Sequence, residues 1–243
     1  MKILLSAFLL LLVIHLNAQE TERKVIRSKN GGKEEFYVLK SDNNIKHGSY
    51  ERKSEFSRII GEYKNGLKEG MWTEYSKGSR LRSRGAYNNN EQTGIWKFYN
   101  WEGELEQEYN FTTKELVSDI LLEATKERLF KVLRGADTIF TAVERPPLYI
   151  GGKTKMQSAL MRGSQIAILL RLTRASGKVI IGFTVDTSGK ARDFRIMKGI
   201  HKACDMEALR MVEQMPPNWM PAKLNGELVE AEHSITITLK NEM

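Results

Sequence analysis

A gapless repeat in the first half of the sequence places the strongest constraint on how this chain can fold. The segment GEYKNGLKEGMWTEY, which starts at Gly61, aligns with GAYNNNEQTGIWKFY, which starts at Gly85, so the period is 24 residues. The alignment matches glycine with glycine and Trp72 with Trp96. Self-similarity at a short fixed period is typical of one small structural unit that is built several times.

The repeated unit has the pattern of a β-hairpin. Aromatic and polar residues alternate in MWTEY and IWKFY, as they do in half-buried strands. Asn65-Gly66 and the run of three asparagines from Asn88 provide residues that tolerate a positive φ in tight turns. The sequence therefore predicts an all-β hairpin-repeat domain over residues 19–111, with the aromatic side chains packed inside it.

Across residues 46–111 the pattern G-x-Y-x-N-G-x-x-x-G-x-W-x-x-Y resembles the MORN-type repeats, including those grouped with the YwqK-like antitoxins. Such repeats are scaffolds in proteins of unrelated function, so the resemblance implies an architecture and leaves the function open. Gly70 and Gly94 each precede a tryptophan strand, where we expect them to let neighbouring backbones approach closely.

The N-terminus has the layout of a secretory signal peptide over residues 1–18. Lys2 precedes a mainly apolar run from Ile3 to Ile14, and Ala18 provides a small residue at the expected cleavage point. The alternative is an uncleaved anchor in the inner membrane over residues 3–18, although the run is short for a bilayer core that needs about 20 residues. Export to the periplasm is the favoured prediction.

Charge and cysteine content limit the classes of partner. Cys204 is the only cysteine, so no disulfide can form within the chain. Residues 146–240 carry 14 Lys and Arg against 8 Asp and Glu, whereas residues 19–145 are nearly balanced. A basic exported domain could meet an acidic peptide, peptidoglycan or an anionic membrane surface, or could have a solvated face without a partner. Nucleic acid is not an expected partner outside the cytoplasm.

Catalytic and metal-binding patterns are scarce. His201 and Cys204 lie three residues apart with Asp205 adjacent, but two ligands without a second pair do not make a structural zinc site. A cysteine nucleophile would also need an orienting partner and an oxyanion donor. The paired glycines at 31–32 and 151–152 lack the context of a phosphate-binding loop. The sequence predicts neither an enzyme nor a cofactor.

A helix is predicted between the two halves. Thr112 and Glu115 form a capping-box pattern, apolar residues follow at helical spacing, and Gly135 stands where a helix C-terminus favours glycine. Residues 112–142 are therefore expected to be a connecting helix and linker.

The second half, residues 143–243, has the pattern of an α+β domain. Apolar residues alternate from Val179 to Val185, a helix with an apolar stripe is expected to begin with Asp205 as its cap, and Asn225-Gly226 turns the chain into a last alternating strand. A short helix is expected before the first of these strands. The order β-β-α-β indicates an antiparallel sheet packed on helices.

Four segments of this half, within residues 143–240, follow one another in a characteristic order: VERPPLYIGG, GKVIIGFTVDTSGKARDFRIMKG, DMEALRMVEQMPPNWMPAKLNGELV and ITITLK. Together they resemble the C-terminal domain of TonB, the energy transducer of Gram-negative envelopes. The resemblance implies that the proline corner returns the last strand to the sheet, with Trp219 filling the space between helix and sheet. It also implies binding rather than catalysis.

Domains of this family take up a short peptide of an outer-membrane TonB-dependent transporter as an added strand at a sheet edge. Carried onto this sequence, the resemblance implies that the partner-binding residues are those of the last strand: His233, Ser234, Ile235, Thr236, Ile237, Thr238 and Leu239. The alternatives are that this strand pairs only within its own domain or with a second copy of the chain, as a homodimer.

Two departures from the family pattern leave the function open between two hypotheses. The Tyr-Pro pair before the first long strand is replaced by QIAILLRL, and all five prolines lie at or beyond Pro146, so a proline-rich linker across the periplasm is missing. One hypothesis is a TonB-like transport protein that binds a transporter peptide, with coupling to an inner-membrane energising complex as a further expectation. The other is an envelope scaffold or antitoxin-like binder that acts through its repeats.

Overall fold

The computed structural model describes residues 19–125, 127–135 and 137–240. The predicted signal peptide over residues 1–18 lies outside the described residues. None of the helices in the described ranges is long and apolar enough to cross a membrane.

The first half forms one antiparallel sheet of nine strands that pair in the order of the sequence. The strands are β1 (Thr21–Arg27), β2 (Lys33–Leu39), β3 (Asp42–Lys53), β4 (Ser57–Lys64), β5 (Leu67–Ser76), β6 (Leu81–Asn88), β7 (Glu91–Tyr99), β8 (Leu105–Asn110) and β9 (Glu115–Asp119). Asn65 and Gly66 both have positive φ, and so do Asn89 and Asn90, as two-residue hairpin turns require. The prediction of hairpins in the repeat is confirmed.

One face of this sheet carries a row of aromatic rings in edge-to-face and tilted contacts. Tyr63 lies 5.2 Å from Trp72, and Tyr87 lies 5.1 Å from Trp96, measured between ring centroids. A Cβ atom on Gly61 would lie 2.2 Å from the Trp72 ring, so the indole occupies the space of the missing side chain. The repeated glycine-tryptophan pair therefore stacks each ring directly on the neighbouring strand.

The predicted connecting helix over residues 112–142 is wrong. This segment contains β9, a three-residue 3-10 helix (Glu123–Thr125) and a hairpin made of β10 (Leu129–Arg134) and β11 (Asp137–Ala142). Phe130 and Val132 alternate with more exposed residues and are buried, which is the period of a strand. Tertiary pairing with the C-terminal sheet overrides the helical spacing seen in the sequence.

The C-terminal part is α+β, as predicted. Its elements are β12 (Leu148–Tyr149), α1 (Gly152–Leu160), α2 (Ile166–Thr173), β13 (Gly177–Val185), β14 (Ala191–Lys198), α3 (Lys202–Glu213), β15 (Trp219–Met220), β16 (Ala222–Leu224) and β17 (Glu227–Leu239). The sheet order is β11-β10-β17-β13-β14, with β16 also paired to β17. The last strand therefore lies between β10 and β13.

The core of this part lies between the sheet and the helices. The expected apolar stripe of α3 is buried, and Trp219 packs 5.0 Å from Phe183 between ring centroids, in the space between helix and sheet that the sequence predicted. The predicted cap is corrected. His201 is the N-cap and accepts a hydrogen bond from the Ala203 N–H, whereas Asp205 lies in the first turn and its carboxylate accepts from the Ile200 and His201 N–H groups.

Candidate functional site

The last strand has a free backbone edge along the predicted binding residues. On one side, β17 pairs with β13 from His233 opposite Phe183 to Leu239 opposite Gly177. On the other side, β10 pairs only with Ala231 and Glu230. Within the described ranges no strand pairs with residues 233–239 on that side. Because peptide groups on a strand point alternately to its two neighbours, about half of those in this stretch face away from β13.

The seven predicted residues do not form one side-chain surface. Ile235, Ile237 and Leu239 are buried in the core of the domain, while Ser234, Thr236 and Thr238 are exposed on the opposite face of the sheet. His233 is partly buried. The feature that these residues share is therefore the backbone edge, which is the part of a strand that pairs with an added strand.

A mainly apolar groove of about 830 Å³ runs beside this edge. Its other walls come from the segment Pro146–Tyr149, from Met156 of α1 and Met161 at the C-cap of that helix, and from Phe130 of β10. Trp101, from a turn of the repeat sheet, contributes to the rim, and its indole N–H donates to the Gln157 side chain at 3.3 Å. Both halves of the chain thus shape the groove.

His233 is the titratable residue of the last strand inside this groove. Its ring lies 5.5 Å from Phe183 and 5.3 Å from Trp219, measured between ring centroids. Burial of the imidazole, together with the positive charge of Arg128, lowers the pKa of His233 to about 4. The ring is therefore uncharged at neutral pH and acts as part of the apolar lining.

Gln107 of β8 fixes the turn that leads into α1. Its side-chain amide donates to the Tyr149 carbonyl at 3.1 Å and to the Asp119 carboxylate at 2.7 Å, and its oxygen accepts from the Gly151 N–H at 2.6 Å. Gln107 is fully buried, so each of these bonds replaces one that water would otherwise make. This glutamine ties the repeat sheet to the wall of the groove.

The neighbouring residue, Glu106, caps helix α1 from outside. Its carboxylate accepts from the Thr154 N–H at 3.1 and 3.3 Å, which satisfies a free donor in the first turn of the helix. Gly152 has a φ of 77°, and a Cβ there would lie 2.9 Å from the Glu106 carboxyl carbon. The paired glycines at 151–152 therefore serve this contact. Sequence reasoning missed Glu106 and Gln107, and the glycine pair was the only signal of a close approach.

The other residues considered for chemistry have structural roles in the described ranges. His201 caps α3, as shown above, and Cys204 is fully buried with its sulfur 3.6 Å from the Thr173 hydroxyl. No group of three or more His, Cys, Asp or Glu side chains that could hold a metal ion occurs in the part of the chain that the structure describes.

Comparison with known proteins gives a match to a family profile. Residues 169–240 match the profile of the Gram-negative bacterial TonB protein C-terminal family, a range that runs from α2 to the end of β17. No curated protein matches the chain significantly.

Two solved structures show weak similarity. An NMR structure of the C-terminal domain of Helicobacter pylori TonB is 19% identical, with 36% of this chain and 80% of that one covered and a TM-score of 0.26. A mutant of S. aureus TarM, in complex with fondaparinux, alpha-GlcNAc-glycerol and UDP, is 14% identical, with 44% of this chain and 24% of that one covered and the same TM-score. A TM-score of 0.26 is too low for either similarity to bear on fold or function.

The family assignment thus depends on the sequence profile, and it coincides with the resemblance carried by the helix, the proline corner and the Asn-Gly hairpin. The family is a non-enzymatic, transport-related one whose members generally interact with outer-membrane transporters. Residues 169–240 therefore match the Gram-negative bacterial TonB protein C-terminal family, and this match supports a TonB-like, transport-related protein.

Proposed function

We propose that this chain is a non-enzymatic periplasmic protein that binds a peptide of an outer-membrane TonB-dependent transporter as an added strand on β17. The observation that carries this proposal is the unpaired backbone edge from His233 to Leu239 beside an open groove. Main-chain hydrogen bonds to the edge would provide affinity, and the groove would select among peptide side chains.

The neighbouring strand limits where such a peptide can lie. Strand β10 occupies the same edge of β17 at Glu230 and Ala231, so an added strand has to stop near His233. The remaining seven residues span about 23 Å at roughly 3.3 Å per residue. The edge therefore fits an extended peptide of about seven residues that lies in line with β10.

The second hypothesis, binding through the repeats, has a different surface. Trp72 and Trp96 are buried in the aromatic row, so substituting them would damage the fold rather than test binding. Met71 and Ile95 lie on the opposite face of the sheet and are about half exposed. A scaffold or antitoxin-like role of the repeats would use exposed residues such as these two.

Hydrogen exchange tests the proposed edge directly. A synthetic copy of the short peptide that an outer-membrane TonB-dependent transporter offers to TonB is added to the chain, and amide exchange is followed by NMR. We expect slower exchange at those amides of residues 233–239 that face away from β13, because they gain carbonyl partners. Peptides N-methylated at alternate positions provide the control. One methylation pattern should abolish binding and the other should leave it, since only one edge of the peptide faces β17.

A matched pair of variants tests the groove. Met161→Gln changes an exposed side chain on the groove wall, and Met197→Gln changes an equally exposed methionine on β14, outside the groove. The first should weaken peptide binding several-fold and the second should not. If both variants bind the peptide with equal affinity and Met71→Gln abolishes binding, the peptide binds to the repeats and the proposal is wrong. Dimerisation that the peptide does not reverse would assign the edge to a second copy of the chain.

A further inference from the structure

A second cleft lies on the other side of helix α1. It has a volume of about 490 Å³ and is formed by one end of strands β4 to β7, by the α1 face that includes Lys155 and Ser158, by Arg162 just after α1, and by the proline corner at Pro216. The first groove is lined by the opposite face of α1. Trp101, Tyr149 and Ser158 line both, so the two clefts are neighbours with different walls.

Three cations and one carboxylate, that of Glu74, line this cleft, and none of the cations is held in an ion pair among the described residues. Among the described residues no acidic side chain forms an ion pair with Lys155, Arg162 or Arg82. The one acidic residue in the lining, Glu74, is exposed, and its charge raises the pKa of Lys155 and Arg82 by less than burial lowers it. The cleft therefore has an excess of positive charge in partly buried surroundings, where electrostatic attraction is stronger than in water.

Lys155 is the central cation. Its ammonium group lies 4.7 Å from the centre of the Phe98 ring, and it has no hydrogen-bond partner in the described chain. Burial lowers the pKa of Lys155. An aromatic face compensates for only part of the hydration that the ammonium group loses.

Arg82 is a second cation with unused donor capacity. Its guanidinium lies 4.2 Å from the centre of the Trp101 ring and donates to the Asn100 and Trp101 carbonyls. Its Nε atom is buried and has no partner. Buried donors are nearly always satisfied in folded proteins, so this unpaired Nε atom leaves the Arg82 charge only partly compensated.

We propose that this cleft binds a small ligand that combines an anionic group, a carboxylate or a phosphate, with an apolar part. Lys155 on α1 and Arg162 in the turn that follows it would hold the anionic group, since both are charged hydrogen-bond donors in the cleft wall. Phe98, Tyr99 and Tyr75 would pack against the apolar part. This site is separate from the β17 edge and does not depend on the strand-addition function.

Calorimetric titration of the full chain with matched small probes tests the proposal. The probes are phenylacetate and phenyl phosphate, which share a ring and differ in the anion, and benzyl alcohol, which is neutral. We expect saturable binding of at least one anionic probe and none of benzyl alcohol. The anionic probe that binds more tightly shows whether the site prefers a carboxylate or a phosphate. Failure of both anionic probes to bind saturably would overturn the proposal.

Variants locate the binding. Lys155→Met should lower the affinity for the anionic probe about tenfold or more, because it removes a charge-assisted interaction. Lys153→Met removes a lysine from the groove side of the same helix and should change the affinity less than about twofold. Unchanged binding in Lys155→Met would overturn the assignment. If that variant does not fold, Arg162→Gln, at an exposed residue, takes its place with the same expected loss.

Discussion

The glycines of the repeat look equivalent in the sequence but are required for two different physical reasons. Gly61 and Gly85 have no unusual φ, but a side chain at either position would enter a tryptophan ring. Gly70 and Gly94 have φ values of 64° and 60° with open space around the missing Cβ. The expectation that Gly70 and Gly94 permit close backbone approach is therefore corrected, because these two residues are required for their left-handed conformation.

This difference predicts two unequal costs. Gly61→Ala should destabilise the chain by about 3 kcal/mol, because its methyl group overlaps the Trp72 ring. Gly70→Ala should cost about 1 kcal/mol, because only the positive φ is strained. Urea unfolding of both variants measures the two values. Trp72→Leu should recover part of the loss in the Gly61→Ala background, and equal costs for both alanines would refute the steric account.

His233 should make stability depend on pH. Its pKa is about 4 in the folded chain against an ordinary value of 6.5, so the unfolded state binds more protons between these values. The contribution of His233 is complete above pH 6.5 and is lost as the pH falls towards 4, by about 3 kcal/mol in total. Urea unfolding of His233→Gln at several pH values isolates this effect. Parallel pH profiles for the variant and the original chain would contradict it.

At the scale of elements, β10 shows how a segment is recruited by another sheet. Val132 is fully buried in a cluster with Val143, Leu224 and Val229, and it pairs with Ala231 of the last strand. This pairing places part of the segment predicted as a linker inside the C-terminal sheet. The same strand also ends the free edge of β17, so it bounds the candidate site.

The contribution of β10 can be measured with a matched pair. Val132→Ala should lower the free energy of unfolding by about 2 kcal/mol, because it leaves a cavity in a packed cluster. Val117→Ala, at a half-exposed position of β9, should change it by less than about 0.5 kcal/mol. Similar small effects at both positions would mean that β10 is not part of the core in solution.

For the whole molecule, apolar packing and buried hydrogen bonds together hold the repeat sheet against the C-terminal domain. Leu148 and Met220, from the small β12-β15 pair, pack into the aromatic cluster of the repeats, and Gln107 and Glu106 bind the start of α1. Both clefts lie along this junction. The relative placement of the two halves therefore decides the shape of both candidate sites.

Removing the central contact should uncouple the halves. Gln107→Leu leaves the Gly151 N–H, the Tyr149 carbonyl and the Asp119 carboxylate without their partner, which should cost about 2–4 kcal/mol. Calorimetric unfolding should then change from one transition to two. Gln92→Leu, on a partly exposed strand position, is the control and should leave a single transition. Two transitions already present in the original chain would show that the halves are not coupled.

Local patterns in the sequence predicted most of the elements. The alternation in MWTEY and IWKFY, the asparagine turns, the alternation from Val179 to Val185 and the stripe on α3 all correspond to observed structure. They succeed because strand and helix periodicity are read within a few residues. The helix predicted after Thr112 is wrong, because short apolar runs fit both the helical and the strand period. Pairing of β10 with the distant strand β17 decided in favour of a strand.

The sequence by itself determined the repeat of hairpins, the α+β order and the family of residues 169–240, because each depends on short-range periodicity or ordered local motifs. Only the tertiary structure decided that β17 has β13 on one side and a largely free edge on the other. It also decided that Gln107 and Glu106 would meet the glycine pair more than 40 residues away. Such contacts follow from the packing of whole elements, which no local pattern encodes.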